Sequence, residues 1–214
     1  MMRSNPGRGG RTRMAAAAAL TVALLAGCAL NRPAIVKQTF LLDPKPPAVA
    51  AKAQPGTLRV GAVTVAGAYR GRNFVVREDD LRFATDYYHE FVTPVGAMIG
   101  ELTARALAQA RVFAHVAAPG SPADADYVLD AFVDSLYSDR RAGKGIAAEL
   151  SITFYLSQSD TGSSVPFWSH TYRQRVPLRV DTADAYVEAM NAAFEMILAE
   201  LVNDLATVPL PAAH

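Results

Sequence analysis

Four consecutive residues, Leu25-Ala26-Gly27-Cys28, carry the most specific chemistry in this 214-residue chain. They form a lipobox: small residues open the backbone to a peptidase, and a thiol at Cys28 accepts a diacylglyceryl thioether before cleavage. What precedes them fits that use. A basic segment (Arg3, Arg8, Arg11, Arg13) is followed by an apolar run from Met14 to Leu25, the length of a secretory signal and too short to span a bilayer. The expectation is a signal peptide over residues 1–27, a covalent lipid on Cys28, and a short tether over 28–37. Further acyl chains, palmitate among them, would strengthen the membrane hold, each buried methylene adding about 0.8 kcal/mol. Ala29 follows the cysteine where Asp would favour inner-membrane retention, so the expected location is the periplasmic face of the outer membrane.

Other sets of reactive residues are sparse. The four histidines are His89, His115, His170 and His214. Only Asp86-Tyr87-Tyr88-His89-Glu90 is dense in polar and titratable groups. Read as a strand running into a loop, it sends neighbouring side chains to opposite faces, which suits solvent better than a metal. Ser157, Ser159, Ser163 and Ser164 cluster at a turn, with no Gly-x-Ser-x-Gly elbow around them. Gly67-Ala68-Tyr69-Arg70-Gly71 lacks the glycine spacing of a phosphate loop. Neither catalytic residues, a metal site nor a cofactor other than the covalent lipid is expected.

Charge and cysteine content narrow the partners. Residues 1–27 hold four Arg and no acidic residue, so without them the formal charge falls from +1 to −3. A chain of that charge has no basic footprint for nucleic acid. Cys28 is the only cysteine, which leaves the domain without a disulfide and dependent on its hydrophobic core.

That core must be built from alternating strand and helix signals. A Gln38-Thr39-Phe40-Leu41-Leu42 run reads as a short strand, and the Pro/Ala-rich stretch 43–56 as a tether or a loop inside the fold. Residues 58–65 are β-rich, and 73–77 with 81–87 form a hairpin across Glu78-Asp79-Asp80. Thr93-Pro94 predicts a helix start, Thr as N-cap and Pro at the first helical position, followed by a stripe of Val95, Met98, Ile99, Leu102, Ala106 and Ala110.

Residues 113–116, 127–137, 146–157 and 167–176 read as strands. In 146–157 the apolar and polar residues alternate with a period of two, predicting one buried and one wetted face. Asp181-Thr182-Ala183-Asp184 caps a helix to about Leu205, with Met190, Phe194, Ile197, Leu201 and Leu205 on one side, and 206–214 is expected to be a flexible C-terminus. The fold class is α/β: a single domain over 38–205, a mixed sheet with antiparallel hairpins packed by two main helices.

The order of these features carries a resemblance. A lipobox precedes the Phe40-Leu41-Leu42 strand and Leu58-Arg59-Val60-Gly61-Ala62-Val63-Thr64-Val65. Then come Asn73-Phe74-Val75-Val76-Arg77, Asp86-Tyr87-Tyr88-His89-Glu90-Phe91, a helix ending in Phe113-Ala114-His115-Val116, Ala125-Asp126-Tyr127-Val128-Leu129 and the long last helix. Over residues 38–205 the chain resembles the ABC-type transport auxiliary lipoproteins that accompany Mce-domain lipid transporters. The resemblance implies a non-enzymatic role: an outer-membrane lipoprotein that docks an Mce-domain protein, with the permease and ATPase of the same ABC system behind it and a homo-oligomer as a further expectation.

Tyr87, Tyr88 and Phe91 are the expected docking residues, since aromatic and Arg-rich clusters are common at interface hot spots. Two other classes share the anchor: an assembly lipoprotein of the lipopolysaccharide-transport or barrel-assembly type, and a lipid-anchored cell-wall enzyme.

Overall fold

The computed structural model describes residues 36–159 and 165–211. Cys28, the signal peptide and the tether before Val36 lie outside the described residues, as do Ser163, Ser164 and His214. Eight strands form one mixed sheet: β1 (Gln38–Phe40), β2 (Gln54–Val65), β3 (Asn73–Arg77), β4 (Phe83–Phe91), β5 (Phe113–Ala117), β6 (Tyr127–Asp139), β7 (Ala147–Gln158) and β8 (Trp168–Pro177). Two α-helices accompany them, α1 (Val95–Ala110) and α2 (Ala183–Thr207).

Strand β6 is the spine. One edge takes β7 antiparallel along its whole length, and β7 in turn pairs antiparallel with β8. The other edge is shared: the first half pairs parallel with β2, which carries β5 on its far side, and the end (Ser138, Asp139) pairs parallel with β3. From β3 the sheet continues through antiparallel β4 to parallel β1. The architecture is thus the expected mixed α/β sheet with two helices.

The helices cover one face of this sheet, α1 against β2 and β5, α2 against β7 and β8. The apolar stripe of α1 is buried as expected. So are Met190, Phe194, Ile197, Leu201 and Leu205 of α2. They meet Leu129, Ala131 and Val133 from β6 and Leu150, Ile152, Phe154 and Leu156 from β7 in one cluster. At Gly96 of α1 a Cβ would lie 2.7 Å from the Val63 carbonyl oxygen, so the close seat of α1 on β2 requires glycine. Thr182 caps α2 as read from the sequence, its hydroxyl accepting from the Ala185 N–H at 3.2 Å.

Several local expectations are corrected. Pro94 is itself the N-cap of α1, in extended conformation, and Thr93 makes no capping bond. The ring fixes φ near the value that both roles need, so proline could not distinguish them beforehand. Helix α2 continues to Thr207 and Val208 is buried, while the Pro211 carbonyl accepts from the Tyr127 hydroxyl at 3.2 Å; residues 206–211 are therefore packed rather than loose.

The face of β7 expected to be wet buries Ala147, Ser151 and Ser157. The Pro/Ala-rich stretch is a loop inside the fold. Asp43 N–H donates to Asn191 and Lys45 N–H to Glu195, each at 2.8 Å, so the segment is strapped across α2, and Gln54 to Gly56 already belong to β2.

At the end of β6 a charged network closes the sheet. Asp139 is fully buried, and Arg141 reaches it at 2.7 Å and Asp80 at 2.9 Å. Arg175 bonds Glu149 at 2.9 Å and lies 3.8 Å from Asp139. The hydrogen bond from Arg141, working against burial, brings the Asp139 carboxyl down to about 2.

Candidate functional site at the bulge of strand β4

The dense cluster on residues 86–90 lies inside β4, not in the loop expected for it. Its geometry departs from a regular strand, and that departure builds the site. Between Thr85, opposite Val75, and Glu90, opposite Asn73, β4 holds more residues than β3 does over the same step. The excess forms a bulge, which bends the strand and re-aims its side chains.

Asp86 holds the bulge in place. Its Oδ1 accepts from the Tyr88 N–H at 2.8 Å and the His89 N–H at 3.2 Å, and its backbone carbonyl accepts from Asn73 Nδ2 at 2.9 Å. Its other oxygen accepts a hydrogen bond from His89 Nδ1 at 2.7 Å. Burial pushes the Asp86 carboxyl up, but the hydrogen bonds from His89 and Tyr88 outweigh it and hold the group below its ordinary value. A carboxylate only accepts, so His89 Nδ1 is the donor in this pair.

The bulge separates two surfaces. Asp86 and His89 turn to the helix-covered side, where His89 stacks on Phe74 with ring centroids 6.2 Å apart. Tyr87 and Tyr88 both project outward, 58% and 54% exposed, and pack edge to face with centroids 5.6 Å apart. Lys37 lies 5.1 Å from the Tyr87 ring centre and also pairs with Glu90 at 3.0 Å. Arg72 takes the second Glu90 oxygen at 3.0 Å, so this buried carboxylate is held by two cations.

Of the three expected docking residues, the structure leaves two on the surface. Phe91 is a correction: it is 0% exposed, packs on Phe74 with centroids 4.7 Å apart, and belongs to the core. It lies two residues past His89 on the same side of β4, so regular alternation resumes there and turns it inward.

Behind the bulge is a cavity of about 360 Å³ between β3, β4, the end of β6 and the N-terminus of α2. Asp86 and His89 form one wall; Ser138, Arg140, Asp184 and Tyr186 contribute from the other elements. Arg140 is paired with Asp181 at 2.7 Å. Ser138 and Tyr186 are each 2% exposed, and neither hydroxyl has a hydrogen-bond partner among the described residues.

No local pattern in the sequence marks these last residues as part of a site. Ser138 and Arg140 are distant in sequence from residues 86–89, and only the parallel pairing of β3 with β6 brings them near. Among the described residues no group of three His, Cys, Asp or Glu is placed to hold a metal ion, and no helix is long and apolar enough to cross a membrane.

The model of the ABC-type transport auxiliary lipoprotein component matches residues 40–202, and the chain belongs to that family. Its architecture is shared with a crystal structure of a Xanthomonas campestris protein of the family designated DUF330, at 19% identity and a TM-score of 0.69 over 79% of this chain and 95% of that one. A crystal structure of an uncharacterized protein matches at 16% identity and a TM-score of 0.61, covering 79% of this chain and 99% of its own. At such identities the likeness shows the fold alone. The comparison with curated proteins returns no match. The family is that of a transport auxiliary component and a lipoprotein, which places the chain with an ABC transport system in the cell envelope.

Proposed function

We propose that this protein is a non-enzymatic, lipid-anchored accessory of an Mce-associated ABC system for lipid transport between membranes, and that it docks the assembly at the outer membrane. The observation that carries the reading is the Tyr87–Tyr88 pair. Two large aromatic side chains stand exposed on a strand whose backbone is pinned by Asp86, beside Lys37. Tyrosine in a rigid setting loses little entropy on contact and offers both apolar area and a hydrogen bond, which is why it recurs at interface hot spots. Phe91 has no part in this contact.

Lipid on Cys28 would hold the domain at the membrane, and Ala29 favours the outer one. The Mce-domain protein is the proposed direct partner, with permease and ATPase reached through it; self-association around such a partner is part of the same proposal. The charge of −3 after residue 27 disfavours nucleic acid.

A photo-crosslinking residue at Tyr88 of the full chain, in cells, tests the docking surface. Recovery of an Mce-domain protein is the expected result. Recovery of an outer-membrane β-barrel protein instead would overturn the reading in favour of an assembly lipoprotein. For the anchor, Cys28→Ala should move the chain from the membrane to the soluble fraction, and an unchanged distribution would exclude lipid at that residue.

A further inference from the structure

We infer that the cavity behind the β4 bulge binds a small organic ammonium group, of the kind carried by ethanolamine. The inference does not depend on the docking role of Tyr87 and Tyr88. It rests on what the cavity offers and what its other groups are already committed to.

Three carboxylates border the cavity, Asp86, Asp181 and Asp184, against the single guanidinium of Arg140. Arg140 is already paired with Asp181 at 2.7 Å. The Asp86 carboxylate is taken up by His89 and two backbone N–H groups. Asp184, at the rim, has no ion-pair partner among the described residues. Beside it the cavity presents the Ser138 hydroxyl, buried and unpartnered among the described residues. A buried hydroxyl without a partner carries a desolvation cost that a bound donor would remove.

Other ligand classes fit less well. The N-terminus of α2 would ordinarily attract an anion, but Thr182 already accepts from Ala185, and Asp184 in the first turn compensates the positive end of the helix. A free phosphate would meet unpaired negative charge there. A metal ion lacks a close set of ligating groups among the described residues. An ammonium brings a positive charge for Asp184 and a donor for the Ser138 hydroxyl, with Phe74 and Val76 lining the space for its methylenes. At about 360 Å³ the cavity accepts a group of several heavy atoms.

The test is ligand-observed saturation-transfer NMR on the full chain in detergent, with ethanolamine, acetate and inorganic phosphate as probes. Ethanolamine should bind saturably, the two anions should not, and Asp184→Asn and Ser138→Ala should each weaken ethanolamine binding by at least about fivefold. Ser138→Ala deletes a hydroxyl that bonds nothing among the described residues, so its melting temperature should stay at the parent value and a loss of binding is not a loss of fold. Binding of phosphate without ethanolamine, no saturable binding of ethanolamine, or parental affinity in both variants would overturn the inference.

Competition by vesicles then assigns the source. If phosphatidylethanolamine vesicles displace ethanolamine and phosphatidylglycerol vesicles do not, the ligand is a lipid headgroup. If neither displaces it, the site takes a free amine. Either result supports the ammonium site.

Discussion

The β6–β7–β8 meander and the β1–β4–β3 ribbon belong to one sheet but are held together differently. In the meander, twelve residue pairs join β6 to β7 with one register shift, and the helix-facing side is a run of Leu, Ile and Phe. In the ribbon, β1 spans three residues, β3 spans five, and β4 breaks its own alternation around Asp86. The meander is stabilised by burial, so its geometry follows from side-chain volume and period. The ribbon's shape rests on a few named polar contacts: Asp86 to two N–H groups, and Glu90 to Lys37 and Arg72. Regularity serves the core. Irregularity places exposed aromatics and a polar cavity back to back.

This contrast can be broken or sharpened by substitution. The largest effect is expected where the ribbon does join the core. Phe91→Ala should cost about 3–5 kcal/mol in chemical denaturation, as for any buried phenylalanine; a loss below about 1 kcal/mol would return Phe91 to the surface role.

Asp139→Asn comes next, at about 2 kcal/mol, because Arg141 would lose its buried counter-charge. The parent's pH profile should carry the same signature. Asp139 is held near about 2 in the folded chain, below its ordinary value of 3.8. Its stabilising contribution is therefore complete above that ordinary value and is lost as pH falls from there toward about 2. Melting temperature against pH should show a steeper acid limb in the parent than in Asp139→Asn; parallel curves would mean the network does not act as described.

Asp86→Ala should cost less, about 1–2 kcal/mol, since of the two freed N–H groups that of Tyr88 is exposed and that of His89 only part-buried. Its larger effect should be local. Hydrogen exchange at Tyr88 and His89 should accelerate while amides of β7 keep their protection, and a uniform acceleration would mean that ribbon and meander open as one unit. Smallest of all, Tyr87→Ser with Tyr88→Ser should shift stability by no more than about 0.5 kcal/mol. Any larger loss would show that the pair supports the fold.

How much of this was readable beforehand follows the same division. The buried apolar side of 146–157, the stripe of α1 and the Thr182 cap are local patterns, each decided by residues a few positions apart, and the structure reproduces them, while the other side of β7 is wetted only in part. The bulge could not be read that way. It exists because β4 carries extra residues relative to a partner strand, and a count of that kind needs the pairing. The same holds for Ser138 and Arg140, which join the cavity only through the β3–β6 contact, and for the network around buried Asp139, in which Arg141 links it to Asp80 and Arg175 approaches from β8, each from a distant part of the sequence. Tyr87 and Tyr88 were legible as aromatics ahead of a helix; that both face outward is a consequence of the bulge. The Pro/Ala stretch lacks any period, so its docking on α2 through Asn191 and Glu195 had no sequence signal.

That strap also sets how the domain takes mechanical load. Tension applied at Lys37 would run along β1, whose ladder with β4 is parallel, and would load those bonds before the strap on Asn191 and Glu195. Lys37 itself grips Glu90 and lies over Tyr87, so the first contacts to feel such a pull are those beside the exposed tyrosine pair. A pull applied ahead of Lys37 would therefore load the exposed tyrosine pair before it loads the helices.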